Sequence, residues 1–401
     1  MKYDFETLIE RHGKDSIAVE CPPNGELTKA GFTQIPMWIA DMNFPTVPTI
    51  PERIAERAAH PAYGYYEPRK EYFDAIIDWQ RTQNHVTDLK KEDIGYENGV
   101  LGGVASALRV FCQPGDAILV HAPTYIGFTH VFTSAGYNPV LSYLKKDENG
   151  VWRMDYADME QKIRENNIHT TVFCSPHNPC GRVWEREEIE KAMALFEKYQ
   201  VNVISDEIWS DLILAGHQHI PTQSVSAYAH DHTAAFYAPS KTFNLAGLIG
   251  SYHIIYNKAI RDEVVRASKT THYNSMNVLS MYALMGAYTP EGHDWLNQLR
   301  EVLTKNTAYG AQYIKDHFKG VECAAPQGTY MLFLHCEDWC RAHNVDMDTL
   351  QKKGAEVGVM WQDGRPFHDP YGIRMNLAVP YSLVVEAFDR LDKYVFNAEK
   401  D

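Results

Sequence analysis

Between residues 94 and 240, short apolar runs alternate with longer stretches in which charged and apolar positions recur at helical spacing. The runs at 94–97, 117–121, 139–143, 170–174, 201–205 and 234–237 read as strands. The stretches at 100–111, 125–135 and 185–199 read as helices, the first closed by the turn Gln113-Pro114-Gly115-Asp116. Short apolar strands joined by helices predict an α/β fold with a mostly parallel sheet covered on both faces. The rhythm changes near residue 290. A long helix over 294–318, strands at 329–334 and 373–377 and a closing helix over 384–395 predict a smaller α+β lobe. The expected division is a large domain over 50–290 and a small domain made of 1–49 with 291–401.

Length supports two lobes, since 401 residues exceed what one compact core usually covers. A formal net charge of −14 argues against nucleic acid or an anionic membrane surface as a partner, although one local arginine is enough to bind a small anion. The charged N-terminus has no secretion signal, and no window is apolar for long enough to span a bilayer, so a cytoplasmic location is expected. Seven cysteines then read as reduced thiols. Cys174 and Cys180 around His177, and His335-Cys336 before Cys340, lack paired CxxC spacing, so no metal site is expected.

The chemistry concentrates at strand ends. Lys241 is the only formally charged residue between Thr233 and Asn257. An ammonium in such surroundings is costly, and desolvation lowers its pKa towards values useful for imine formation and proton transfer. Asp206 ends a buried strand, where open α/β sheets place ligand-binding groups; a helix N-cap is the alternative role. Asn178 lies in the loop Cys174-Ser-Pro-His-Asn-Pro-Cys-Gly-Arg182, placed either to offer its amide to a ligand or simply to make a turn. Gly99 opens the helix at Val100 and Leu101, whose free N–H groups suit a phosphate.

The order and spacing of these features resemble fold-type I enzymes dependent on pyridoxal 5′-phosphate (PLP), the aminotransferase class I/II superfamily. More narrowly, the chain resembles the MalY/PatB branch, the cystathionine β-lyase-like C–S lyases. The motifs carrying that likeness are Trp38-Ile-Ala-Asp-Met-Asn-Phe44, Tyr63-Gly-Tyr65, Ser205-Asp-Glu-Ile208, Ser240-Lys-Thr-Phe-Asn-Leu-Ala-Gly247, Pro326-Gln-Gly-Thr-Tyr330 and Arg374-Met-Asn376. The resemblance implies Lys241 as the Schiff-base lysine and Asp206 as partner of the pyridine nitrogen. Asn178 would serve the ring hydroxyl and Tyr125 would stack on the ring. Val100, Leu101 and Ser240 would hold the phosphate. Tyr65 would reach the phosphate of a neighbouring subunit, implying a homodimer with shared sites. Arg374 would grip the substrate carboxylate, with Ile39 and Ala40 beside the substrate.

Several positions depart from the wider superfamily. Ala238 and Ile249 stand where aminotransferases often carry a phosphate-binding Ser and Arg, and Trp209 stands where they carry Tyr. Asn43 replaces the second Asp of the branch motif, and Cys180 a more usual Thr. The missing arginine at Ile249 and the missing tyrosine at Trp209 favour the lyase branch. The implied activity is elimination from L-cystathionine or related S-substituted L-cysteines, giving thiol, pyruvate and ammonia. Transamination on the same scaffold is the alternative, followed by a regulatory protein that keeps the fold.

Overall fold

The computed structural model describes residues 1–271 and 273–398. Its centre is a seven-stranded sheet made of β1 (Ile94–Glu97), β2 (Ala117–Ala122), β3 (Asn138–Tyr143), β4 (Thr170–Cys174), β5 (Asn202–Asp206), β6 (Thr233–Tyr237) and β7 (Ser251–Ile254). The spatial order is β1-β7-β6-β5-β4-β2-β3. Pairings from β6 through β3 are parallel, while β7 runs antiparallel to both β6 and β1. Two reversals cancel, so β1 points the same way as β6 and ends at the same sheet edge.

Residues 233–257, one apolar run in the sequence, fold as two strands because Pro239 to Gly250 forms a loop between them. Around the sheet pack α1 (Val100–Phe111), α2 (Ile126–Ser134) and α3 (Arg186–Tyr199). Helix α1 buries Val100, Val104, Ala107 and Leu108, one stripe at helical spacing. Gly103 lets that stripe approach the sheet, since a Cβ there would lie 2.4 Å from the Phe236 ring.

Helix α4 (Pro290–His317) leads to an antiparallel sheet of β8 (Glu322–Cys323), β9 (Met331–His335), β10 (Gln362–Asp363) and β11 (Gly372–Asn376), in the order β8-β9-β11-β10. The helix starts four residues earlier than the sequence reading placed it. Thr289 caps it, accepting from the Gly292 N–H at 3.0 Å, and Pro290 occupies the first turn. Ile35 and Pro36 pair in parallel with Val359 and Met360 in a separate two-stranded sheet, which ties the N-terminal segment to the C-terminal part of the chain. Among the described residues no helix is long and apolar enough to cross a membrane, and all seven cysteines are free thiols.

Candidate active site

Five strand ends converge on one cavity of about 310 Å³. Gly99, Val100 and Leu101 follow β1, and Tyr125 follows β2. Asn178 follows β4, Asp206 closes β5, and Ser240 and Lys241 follow β6; all of these line the cavity. The parallel register sets Cys174, Asp206 and Phe236 side by side at the strand tips. Residues as far as 142 positions apart in sequence, Gly99 and Lys241, thus share one wall.

Lys241 is partly buried and donates through Nζ to the Ala40 carbonyl at 2.8 Å. Burial, reinforced by the positive charge of Arg374, pushes its pKa down to about 8, against the opposing pull of Asp41 and Asp206. About a tenth of this amine is therefore unprotonated at pH 7, far more than for an ordinary lysine. Asp206 is shifted the other way, up to about 7, chiefly by burial; the Ile208 N–H on Oδ1 at 3.0 Å and the charge of Lys241 partly offset that. A cation placed in the cavity beside it would restore full ionisation.

Arg374 lies in the middle of β11 and is only 4% exposed. Its Nη1 donates to Asn178 Oδ1 and its Nη2 to the Trp38 carbonyl, both at 3.2 Å, while its guanidinium stands 4.7 Å from the centre of the Phe367 ring. Its Nε has no partner, and among the described residues no carboxylate forms an ion pair with it. Burial lowers its pKa to about 10. A buried cation held only by neutral acceptors is set up to receive an anion.

The start of α1 is a second place for an anion. Gly99 adopts φ +86°, which glycine tolerates without steric cost, and no side chain caps the helix. The Val100 and Leu101 N–H groups have no acceptor among the described residues. Ile249, at the cavity edge, is half exposed and sits at φ +50°, a strained conformation for a β-branched residue.

Of the site residues singled out in the sequence, Tyr65, Ile39 and Arg374 are not on the wall. Tyr65 is fully exposed at 110% and does not enter the cavity of its own chain. Ile39 presents its carbonyl to Asn376 Nδ2 at 2.7 Å, whereas Ala40 does line the cavity. Arg374 reaches the site through Asn178.

The chain matches the model of the aminotransferase class I and II family over residues 34–391. It belongs to that family. Among its family relatives is the cystathionine β-lyase PatB of Bacillus subtilis (strain 168), 33% identical over 359 residues that cover 88% of this chain and 90% of PatB. The protein MalY of Escherichia coli (strain K12) is 31% identical, with 95% of each chain covered. The PLP-bound C–S lyase from Staphylococcus hominis superposes with a TM-score of 0.87 at 28% identity, over 98% of each chain.

Near the wall are other polar groups to which the sequence reading gave no role. Asn244 Oδ1 accepts from the Met42 N–H at 2.9 Å, and its Nδ2 donates to the Met42 carbonyl at 2.8 Å. Arg11 forms a two-pronged pair with Asp41 and donates to Asn43 Oδ1 at 3.1 Å, which gives the third position of Asp41-Met-Asn43 a partner. Glu207 is fully buried behind Asp206 and accepts from Ser205, the Thr222 N–H, His219 and Tyr237. An asparagine three residues after the lysine, in an otherwise apolar run, was the one sequence signal available for Asn244. The only His/Cys/Asp group with metal-ligand spacing among the described residues is Cys112, Asp116 and His169, at the opposite edge of the sheet. Its imidazole Nε2 is already engaged by the Phe111 carbonyl and by Asp116.

Proposed function

We propose that this chain is a PLP-dependent C–S β-lyase, converting L-cystathionine or a related S-substituted L-cysteine to a thiol, pyruvate and ammonia. The observation that carries the reading is the buried, unneutralised guanidinium of Arg374, bonded to Asn178 on the wall of a cavity that also holds a lysine amine whose pKa is lowered to about 8. A zwitterionic amino acid supplies the missing carboxylate.

The residues present fit PLP. The uncapped start of α1 offers N–H groups for a phosphate, Asp206 offers a carboxylate for a ring nitrogen, and Tyr125 offers a ring face. Bound there, PLP supplies an aldehyde for amine capture and a cationic ring that accepts the electron pair left at Cα.

The protein's own groups then divide the work. Lys241 anchors the cofactor, and its amine, once free, removes the proton from the substrate Cα. Asp206, ionised next to a ring N–H, keeps that nitrogen protonated. Arg374 and Asn178 fix the carboxylate, so that the Cα–H bond faces Lys241. Breaking the Cβ–S bond releases the thiolate, and Lys241 is the nearest acid to protonate it.

Residues 50–290 are proposed as the large domain and 1–49 with 291–401 as the small one, with the cavity between them. The exposed Tyr65 supports a homodimer in which it completes the partner's phosphate site. Seven free thiols support a cytoplasmic location.

The assay supplies L-cystathionine with PLP and no keto acid. Sustained release of pyruvate and thiol is the expected result. Turnover that depends on an added keto acid would replace this reading with transamination.

A further inference from the structure

Residues 37–44 run as a strap between the small sheet and the loop after β6, with Ala40 on the cavity wall. The small sheet holds one side: the Asn376 N–H donates to the Met37 carbonyl at 2.7 Å, and Asn376 Nδ2 donates to the Ile39 carbonyl at 2.7 Å and to the Asp41 carbonyl. Arg11 grips Asp41 and Asn43 from outside. The loop after β6 holds the other side, where the Asn244 amide takes both the N–H and the carbonyl of Met42. Asn244 lies in the same loop as Lys241, three residues on, and Ala40 lies two residues before Met42. The loop therefore holds the strap at two points, an amide pair at Met42 and the Lys241 amine at Ala40.

We propose that Asn244 is a positioning residue that pins the strap, so that the Ala40 carbonyl stands as a fixed acceptor for the Lys241 amine whenever that amine is free. A primary amine on four methylenes has many rotamers, and a base serves only if it waits in one place. The Ala40 carbonyl supplies that place at 2.8 Å. Burial is the main reason Lys241 is less basic than an exposed lysine, and the strap contributes to that burial at Ala40. The charged groups acting on the amine are Arg374, Asp41 and Asp206; Asp41 is on the strap itself, so moving the strap moves its field as well.

The inference rests on Lys241 being the cofactor-bearing base. Asn244→Gly is the informative variant. Asn244 has φ +58°, which glycine adopts freely, so this change removes both bonds to Met42 without straining the backbone as alanine would. Asn244→Asp keeps an acceptor for the Met42 N–H but loses the donor to its carbonyl. Three measurements follow on wild type and both variants. First, the absorbance of the lysine–cofactor bond is recorded in the holoenzyme. Second, hydrogen exchange is followed at the Met42 amide. Third, after cofactor removal, Lys241 is titrated by the pH dependence of its acetylation.

For Asn244→Gly the expected results are exchange at Met42 at least about tenfold faster, a Lys241 titration moved up by about half a unit as water enters, and kcat lowered about tenfold with KM changed less. Asn244→Asp should fall between. Wild-type exchange and titration in Asn244→Gly would overturn the proposal, as would lost activity with an unmoved Lys241 titration. Absence of the lysine–cofactor absorbance in wild type itself would sink the functional reading instead, so the two failures are separable.

Discussion

Arg374 and Asn178 come from different sheets, 196 residues apart, and meet at 3.2 Å through guanidinium Nη1 and amide Oδ1. The pair links the small sheet to the loop after β4 at the site. Asn178 orients the cation but cannot neutralise it, which leaves the charge available to a ligand.

Replacing Arg374 with lysine should therefore separate charge from geometry. Lysine keeps the cation but loses the flat, two-pronged fork. Arg374→Lys is expected to lower kcat/KM by about 100-fold, roughly 3 kcal/mol of lost carboxylate recognition, while leaving the cofactor absorbance intact. Steady-state kinetics with a spectrum of the resting enzyme check both halves.

Asp206 carries a testable cost. Its pKa is raised in the fold to about 7 from an ordinary carboxylate value, so between those values the folded state binds more protons than the unfolded one. Stability of the cofactor-free protein should then fall as pH rises from about 4 to 7 on account of this group, by as much as about 4 kcal/mol. Asp206→Asn should melt higher than wild type at pH 8, match it near pH 4, and be inactive. Melting curves of the cofactor-free proteins at both pH values check the sign.

Lys241 gives the cofactor-free protein a pH dependence of the opposite sign. Its folded pKa, near 8, lies well below the ordinary lysine value. In the cofactor-free protein the unfolded state binds the extra proton between about 8 and 10.5, so Lys241 makes the fold more stable as pH rises through that window. Lys241→Met should abolish this rise in melting temperature, measured from pH 7.5 to 10.

Tyr65 gives a prediction about sharing. If it serves the neighbouring subunit, a dimer pairing Lys241→Ala with Tyr65→Ala has one site containing both native residues. Mixing the two variants under exchange conditions should raise activity above the sum of the separate proteins. No gain on mixing would confine Tyr65 to its own chain.

Much of the wall was readable because each residue follows a buried apolar strand, and such strands announce themselves in sequence. Lys241 stood out as a lone charge in 25 residues, and Asp206 as a carboxylate closing an apolar run. The strap was not readable. Asn244, Asn376 and Arg11 are ordinary polar residues whose partners are backbone groups or loop side chains over 30 to 337 positions, and nothing local marks such bonds. The antiparallel course of β7 was hidden for a related reason, since its apolar run is continuous with β6.

The most direct measurement is to reduce the PLP-loaded enzyme with borohydride and map the modified peptide by mass spectrometry. The cofactor fixed to Lys241 alone is the expected result. Cofactor on another lysine, or none retained, would contradict the site described above.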